Sequence, residues 1–477
     1  MQVEVRPIEK LRGEGAIDVG HALSPVIDAL CREDVDLANV RVVCDWIQYR
    51  NNFREPVVAR PILDHGLEVA VDVRRAAEVD LGQATGAALH SNGTDRIHLE
   101  DWTPARSSCI WQFNALYWSA LAAWEEATGQ EYERTLPGGS SDARNLAGVH
   151  ELIEDLFAVW DDLTARNALP DELYVLELGV GNGNQAKTWL EEFERLDRQH
   201  GSRYYRRLHY LMGDYSRHVL ERAELAVAAH AEHVSSLVLD ATRPSAALGF
   251  LRYKTFLVYI SNVYDNLPTD EIARIGGRAF LVEVRAHLPA ALADPIAERF
   301  SVPQGELVTL VHKLLRLGPE VLAEAFPATF PSVTDAVTFW VQVWGALRLE
   351  ERFVPLPGLD LYEVAPGLSG EHVRPLLEAN GDVRMHVSNG AVSSFAETID
   401  LLHPFGRLKC HDLFVTSVEQ YRTGFHGPGK YDGSVVNWVN GPLLQHVGRR
   451  RGFDVTLAPF GHRVGSKVST LTAQVRD

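Results

Sequence analysis

Cysteine is scarce: four residues in 477, at Cys31, Cys44, Cys109 and Cys410. None sits in a C-x-x-C pair or a His-rich spacing. A disulfide framework and a metal site are therefore not expected, and buried reduced thiols are. Basic runs are missing too. The longest is Arg449-Arg450-Arg451, read as a solvated helix end, and the formal net charge is −18. A duplex binder needs a basic face, so nucleic acid is not an expected partner. The negative field favours a cationic acceptor. No stretch reaches the ~18 uninterrupted apolar residues of a membrane span. The first residues show no charged-then-apolar leader pattern. These absences point to a cytoplasmic protein without a membrane partner.

What is present is organised around Leu173-Tyr-Val-Leu-Glu-Leu-Gly-Val-Gly-Asn-Gly-Asn184. The apolar run Leu173 to Leu178 reads as a buried parallel strand carrying one acid, Glu177, near its end. Gly179, Gly181 and Gly183 follow, then a helical stretch from Gln185 to Leu196. A strand, a glycine loop and a helix N-terminus form a site for an anionic or polar ligand. The dinucleotide fingerprint G-x-G-x-x-G needs a third glycine where Asn184 stands. The spacing here is G-x-G-x-G with an acid two residues upstream. It resembles motif I of the class I S-adenosylmethionine (SAM) methyltransferases. In that family the acid or its neighbours meet the amino end of the methionine part.

The length allows about two to four domains. Residues 1–105 read as a separate N-terminal module, a dimerisation unit or lid, with a helix at Ile17–Cys31 and strands at Val40–Val43 and Leu67–Val73. Residues 106–288 read as the first part of a doubly wound α/β core. Its expected strands are Leu173–Leu178, Leu208–Gly213, Ser236–Leu239, Thr255–Ile260 and Arg278–Arg285. Residues 289–400 read as a mainly helical insertion covering the active site, and 401–477 as C-terminal strands completing the core. Before the glycine loop, Trp111 to Thr128 is helical and aromatic, which core packing explains best. A polar loop, Leu136 to Asp142, follows it.

Acids stand at successive strand ends, where a doubly wound sheet binds ligands. Asp214, followed by Tyr215 and Ser216, can accept both hydroxyls of a ribose. Asp240, followed by Ala241, can accept a hydrogen bond from an adenine amino group. Either acid could equally cap a helix. With Glu177, three acids at three strand ends favour a nucleoside-type cofactor. The fourth strand runs into Ser261-Asn-Val-Tyr-Asp-Asn-Leu-Pro268, where the reacting group belongs.

The chain resembles the MidA-like (DUF185) family, which includes the mitochondrial complex I assembly-factor arginine methyltransferase. Glu177 to Asn184 is similar to that family's E-L-G-P-G-x-G-T, with Val180 for proline and Asn184 for threonine. Ser261 to Pro268 resembles N-E-F-F-D-A-L-P, keeping Asp265, Leu267 and Pro268. Phe280-Leu-Val-Glu283 meets a W-x-E motif. Phe113 to Tyr117, Gly139 to Asp142 and Tyr421 to Asn440 match more loosely. The resemblance implies a Rossmann-like fold, SAM as cofactor with S-adenosylhomocysteine as product, and an arginine guanidinium nitrogen as acceptor.

A guanidinium stays protonated at neutral pH. Paired carboxylates would grip two of its N–H groups and take the proton released on methylation. Asp265 and Glu283 are the expected catalytic pair. Asn262, Tyr264 and His386 join them as expected substrate contacts. Added segments that close over a small molecule favour free L-arginine over a protein arginine, as in specialised metabolism. A homodimer is the expected assembly if any forms. The alternatives are a small-molecule O-methyltransferase, for which His411-Asp412 is the adjacent pair to note, and a catalytically degenerate assembly factor.

Overall fold

The computed structural model describes residues 1–6, 19–45, 51–62, 66–76, 78–90, 95–132, 145–379, 381–423, 427–462 and 465–476. The expected polar loop from Leu136 to Asp142 lies outside these residues, as do the first two residues of the helix expected at Ile17. Seven strands build the central sheet: β1 (Leu173–Leu178), β2 (Leu208–Asp214), β3 (Val234–Val238), β4 (Thr255–Ser261), β5 (Leu402–Asp412), β6 (Phe453–Pro459) and β7 (Ser469–Val475). Their spatial order is β6-β7-β5-β4-β1-β2-β3. β3, β2, β1, β4 and β5 run parallel, while β7 is antiparallel to both β5 and β6. This is the doubly wound, Rossmann-like sheet of the class I methyltransferase fold. The order reverses between β1 and β4, which opens a crevice beyond their carboxyl ends.

β1 and β4 are buried on both faces, which is why each reads as a nearly unbroken apolar run. The helix Asn184–His200 buries Ala186, Trp189, Leu190 and Phe193. Those positions follow the i, i+3, i+4, i+7 stripe of an amphipathic helix. Its partner is the helix Leu146–Ala165, whose Phe157 and Trp160 rings meet Phe193 at 5.2 and 5.8 Å.

One expected core strand belongs elsewhere. Arg278–Pro289 pairs antiparallel with Glu271–Ile275 and Arg348–Pro355 in a six-stranded sheet, four of whose strands are inserted between β4 and β5. An apolar run does not encode its partner, so the pattern fits either sheet. The fifth strand of the central sheet is Leu402–Asp412 instead. Three helices, Ala290–Arg299, Gln304–Ala325 and Val333–Ala346, follow the inserted hairpin. They pack on Ile110–Ser119 and Leu121–Thr128, with Trp124 and Trp340 rings 4.6 Å apart.

The N-terminal residues form a four-stranded sheet in the order Gln2–Arg6, Val40–Asp45, Gly66–Asp72, Val57–Ile62, with a core around Val26, Leu30, Val42, Val69 and Val71. It is not set apart from the rest. Arg96–His98 and Thr103–Pro104 pair with the inserted strand Arg278–Pro289. A buried ionic cluster crosses the same boundary. Glu351 of the inserted sheet receives Arg54 at 2.8 Å, Arg384 at 2.9 Å, and Arg60, which also grips Glu68. Charges this deep are tolerable only because each is paired.

Candidate active site

The crevice at the switch point is a cavity of about 610 Å³. Its floor is the carboxyl ends of β1, β2 and β4 with the turn after β3. Its roof is Trp111, Trp118 and Tyr132, from the aromatic segment ahead of the core. Glu125 holds that roof down: it accepts the Tyr132 backbone N–H at 3.1 Å and Arg222 at 3.2 Å, from the helix after β2. Asn114 ties it to the β4 side by donating to the Asn266 carbonyl at 2.9 Å and accepting the Val435 N–H at 2.9 Å.

The glycine loop works by close approach. Gly179 lines the cavity at φ +74°, and a Cβ there would overlap Val263 Cγ2 in the turn after β4. Gly181 also lines the cavity. Gly183 does not. It opens the helix Asn184–His200, where a Cβ would come within 2.7 Å of Ala223 Cα, so its role is helix packing.

Three acids reach the cavity. Glu177 is 2 % exposed and accepts the Tyr210 hydroxyl at 2.6 Å. Burial pushes its carboxyl up to about 8, and Asp214 nearby adds to the effect. Asp214 accepts the Ser216 N–H at 2.9 Å and the Gly181 N–H at 3.4 Å, and burial raises it to about 6. Asp240 is exposed and accepts both the N–H and hydroxyl of Thr242 at 2.8 Å. Tyr215 and Ala241 line the cavity beside them, whereas Ser216 is fully buried and caps the helix Arg217–Ala226.

The expected acceptor residues divide. Asn262, at φ +52°, faces both the main cavity and a small recess of about 40 Å³ that opens beside it. Asp265 lines the recess with Trp118, Tyr132 and Asn266. Asp265 accepts the Asn266 side-chain amide at 2.8 Å and lies beside Asp412 at the end of β5; burial first, then that neighbouring charge, hold it well above the usual carboxylate range. Asp412 accepts the backbone N–H groups of Val263 at 3.1 Å and Tyr264 at 2.8 Å; burial lifts it to about 6. Two like carboxyls this close share one proton.

Glu283 is not in the site. It sits on the inserted sheet opposite Arg352, which donates to it at 2.8 Å. The Asp265–Glu283 pair is therefore not built, because their strands belong to different sheets. His386 is 1 % exposed on the inserted sheet, 3.6 Å from Glu271 and against the Tyr421 ring. Tyr264 points into the core on the other side of its turn. Neither lines the cavity. Nor does any described residue of 289–400; its three helices between Ala290 and Ala346 pack behind the roof segment instead.

Sequence reasoning missed the roof. Core packing is the role their residue types suggest for Trp111 and Trp118, and they do pack, but each also shows a face to the cavity. Gln185 and Thr242 lie outside the motifs, and Asn114 and Asn266 stand at positions within them that the family pattern does not match. Among the described residues, the Oδ1 of Asn266 and the Oε1 of Gln185 are buried without hydrogen-bond partners.

No family model and no curated protein matches this chain. Solved structures do. A COG1565 superfamily member from Burkholderia thailandensis bound to S-adenosyl-homocysteine is 14 % identical, with 78 % of this chain and 88 % of that one covered at a TM-score of 0.44. The DszA carbon methyltransferase is 14 % identical over 87 % of this chain and 74 % of its own, at a TM-score of 0.33. The CcbJ methyltransferase from Streptomyces caelestis is 11 % identical over 76 % and 99 %, at 0.32.

Proposed function

We propose that this protein is a SAM-dependent methyltransferase acting on a small molecule, with the guanidinium of free L-arginine as acceptor. The convergence of Glu177, Asp214 and Asp240 on one cavity carries the first part. The donor set suits the cofactor group by group. Glu177 is a buried carboxyl bonded to a tyrosine and to no cation among the described residues, so an ammonium group completes it. Asp214, fixed by two backbone N–H groups, is placed for vicinal ribose hydroxyls. Asp240 and Thr242 stand at the rim for a base amino group. When bound, SAM supplies an electrophilic methyl; this chain aligns the acceptor and manages its proton.

For the acceptor, the recess supplies hydrogen-bond acceptors and aromatic faces. Asn266 Oδ1 lacks a partner among the described residues and replaces Glu283 as the second group facing an N–H donor beside Asp265. Trp118 and Tyr132, 5.9 Å apart, give planar faces for a flat cation. A guanidinium beside Asp265 favours its ionised form, and the Asp265–Asp412 pair can take the proton that leaves the methylated nitrogen. Mass spectrometry of the protein with isotopically labelled SAM tests this. L-arginine should gain the label, and citrulline, an arginine peptide and a phenol should gain little. Labelled citrulline or phenol at the same rate would replace the guanidinium reading with a neutral acceptor. No label on any acceptor, with SAM bound, would favour a degenerate assembly factor.

A further inference from the structure

A second chamber of about 310 Å³ adjoins the cofactor cavity. The two share walls: Gln185 and Tyr259 line both. They also share a floor. Tyr259 of β4 sits in register with Glu177 of β1 on one side and Lys409 of β5 on the other, and Lys409 with Thr472 of β7. Residues in register on neighbouring strands project from the same face. The chamber is thus the cofactor floor continued sideways across β5 and β7.

Its chemistry is mixed and locally balanced. Lys409 is 8 % exposed; its ammonium meets Glu151 at 2.7 Å and Asp155 at 3.3 Å, which leaves one of its three N–H groups for a ligand. Thr472 adds a hydroxyl. His411 is held by Thr470 at 2.8 Å. Facing these donors is Gln185, 8 % exposed, whose Oε1 has no partner among the described residues. A buried amide carbonyl without a donor costs free energy until something supplies one. A zwitterion satisfies both sides: an anionic end for Lys409 and Thr472, a cationic or N–H end for Gln185 and Glu151.

We propose that this chamber is the binding site for the α-amino-acid head of the acceptor. The carboxylate lies at Lys409 and Thr472 and the amino group at Gln185, and the side chain passes Tyr259 into the cofactor cavity. The proposal rests on the methyltransferase reading and narrows its substrate class to free amino acids. It also gives a reason for an internal arginine of a protein to be refused, because such a residue has neither a free carboxylate nor a free amine.

Calorimetry on the full chain saturated with S-adenosylhomocysteine tests it, with L-arginine and agmatine, the same side chain without the carboxylate, as titrants. L-arginine should bind at least about tenfold more tightly than agmatine. Lys409→Met and Thr472→Val should each erase most of that difference while leaving S-adenosylhomocysteine affinity within about twofold. Equal binding of the two titrants, or unchanged discrimination in both variants, overturns the proposal. So does loss of S-adenosylhomocysteine affinity in Lys409→Met, which would assign the chamber to the cofactor's own head. L-arginine failing to bind while the cofactor product binds overturns the proposal and leaves the methyltransferase reading standing. Failure of the cofactor product to bind removes both.

Discussion

Tyr210 on β2 donates its hydroxyl to Glu177 on β1 at 2.6 Å, and among the described residues no Lys, Arg or His pairs with that carboxylate. The bond orients the acid without neutralising it. In the folded chain its pKa is up at about 8, against about 4.3 for an unperturbed glutamate.

The sign follows directly. Folding favours the protonated form, so this group's stabilising contribution is complete below about pH 4.3 and is lost as pH rises through 8. A ligand ammonium needs the ionised form. Binding of S-adenosylhomocysteine at pH 7 should therefore release close to one proton, and affinity should rise with pH up to about 8. Calorimetry in buffers of different ionisation heat measures the count. Glu177→Gln should bind more weakly and release none. A wild-type count of zero would mean that Glu177 does not meet a cation.

The Asp265–Asp412 pair sets a second pH dependence. With Asp412 raised to about 6, the pair becomes able to take the acceptor's proton only above that value. Turnover should climb with pH to about 6 and then level. Asp265→Asn should keep cofactor-product affinity and lose roughly 10²-fold or more in turnover. A flat pH–rate profile with full activity in Asp265→Asn would make the pair purely structural.

Glu283 supplies a control. Its partner Arg352 has a 43 % exposed side chain on the inserted sheet, and an ion pair of that kind is worth no more than about 1 kcal/mol. Glu283→Gln should turn over L-arginine at the wild-type rate. A large loss of kcat without loss of fold would return Glu283 to the reaction.

Glu351 should behave in the opposite way. Three arginines converge on it where the N-terminal and inserted sheets meet. Glu351→Gln strands buried cations, and a cost of about 3–5 kcal/mol is the usual scale. Urea denaturation should show it. A midpoint unchanged from wild type would mean that the cluster reorganises or takes up water.

Much of the central sheet was legible because parallel strands are buried on both faces and announce themselves as apolar runs ended by glycine or an acid. That logic found β1 with Glu177, β2 with Asp214 and the turn carrying Asp240. It failed where apolarity does not specify a partner. Arg278–Pro289 reads like a core strand, and only its pairing with Arg348–Pro355 reveals a second sheet. β7 carries only a weak signal because Ser469-Thr-Leu-Thr-Ala-Gln-Val475 buries only Leu471 and Ala473, although it is paired on both sides by β5 and β6. The roof was hidden for a different reason. Trp111 and Trp118 serve core and cavity at once, and a residue type alone cannot say which of its faces meets a ligand. The Asp265–Asp412 contact joins residues 147 positions apart by number, and only the tertiary fold brings them together.

Every role proposed above requires the cavity at the β1–β4 switch point to hold SAM. Titration of the full chain with S-adenosylhomocysteine, and separately with NAD, tests it most directly. S-adenosylhomocysteine should bind saturably in the micromolar range and NAD should not bind. In Gly179→Val, where the side chain would run into Val263 Cγ2 from a left-handed backbone, that binding should be abolished. Tight NAD binding, or undiminished S-adenosylhomocysteine binding in Gly179→Val, would contradict it.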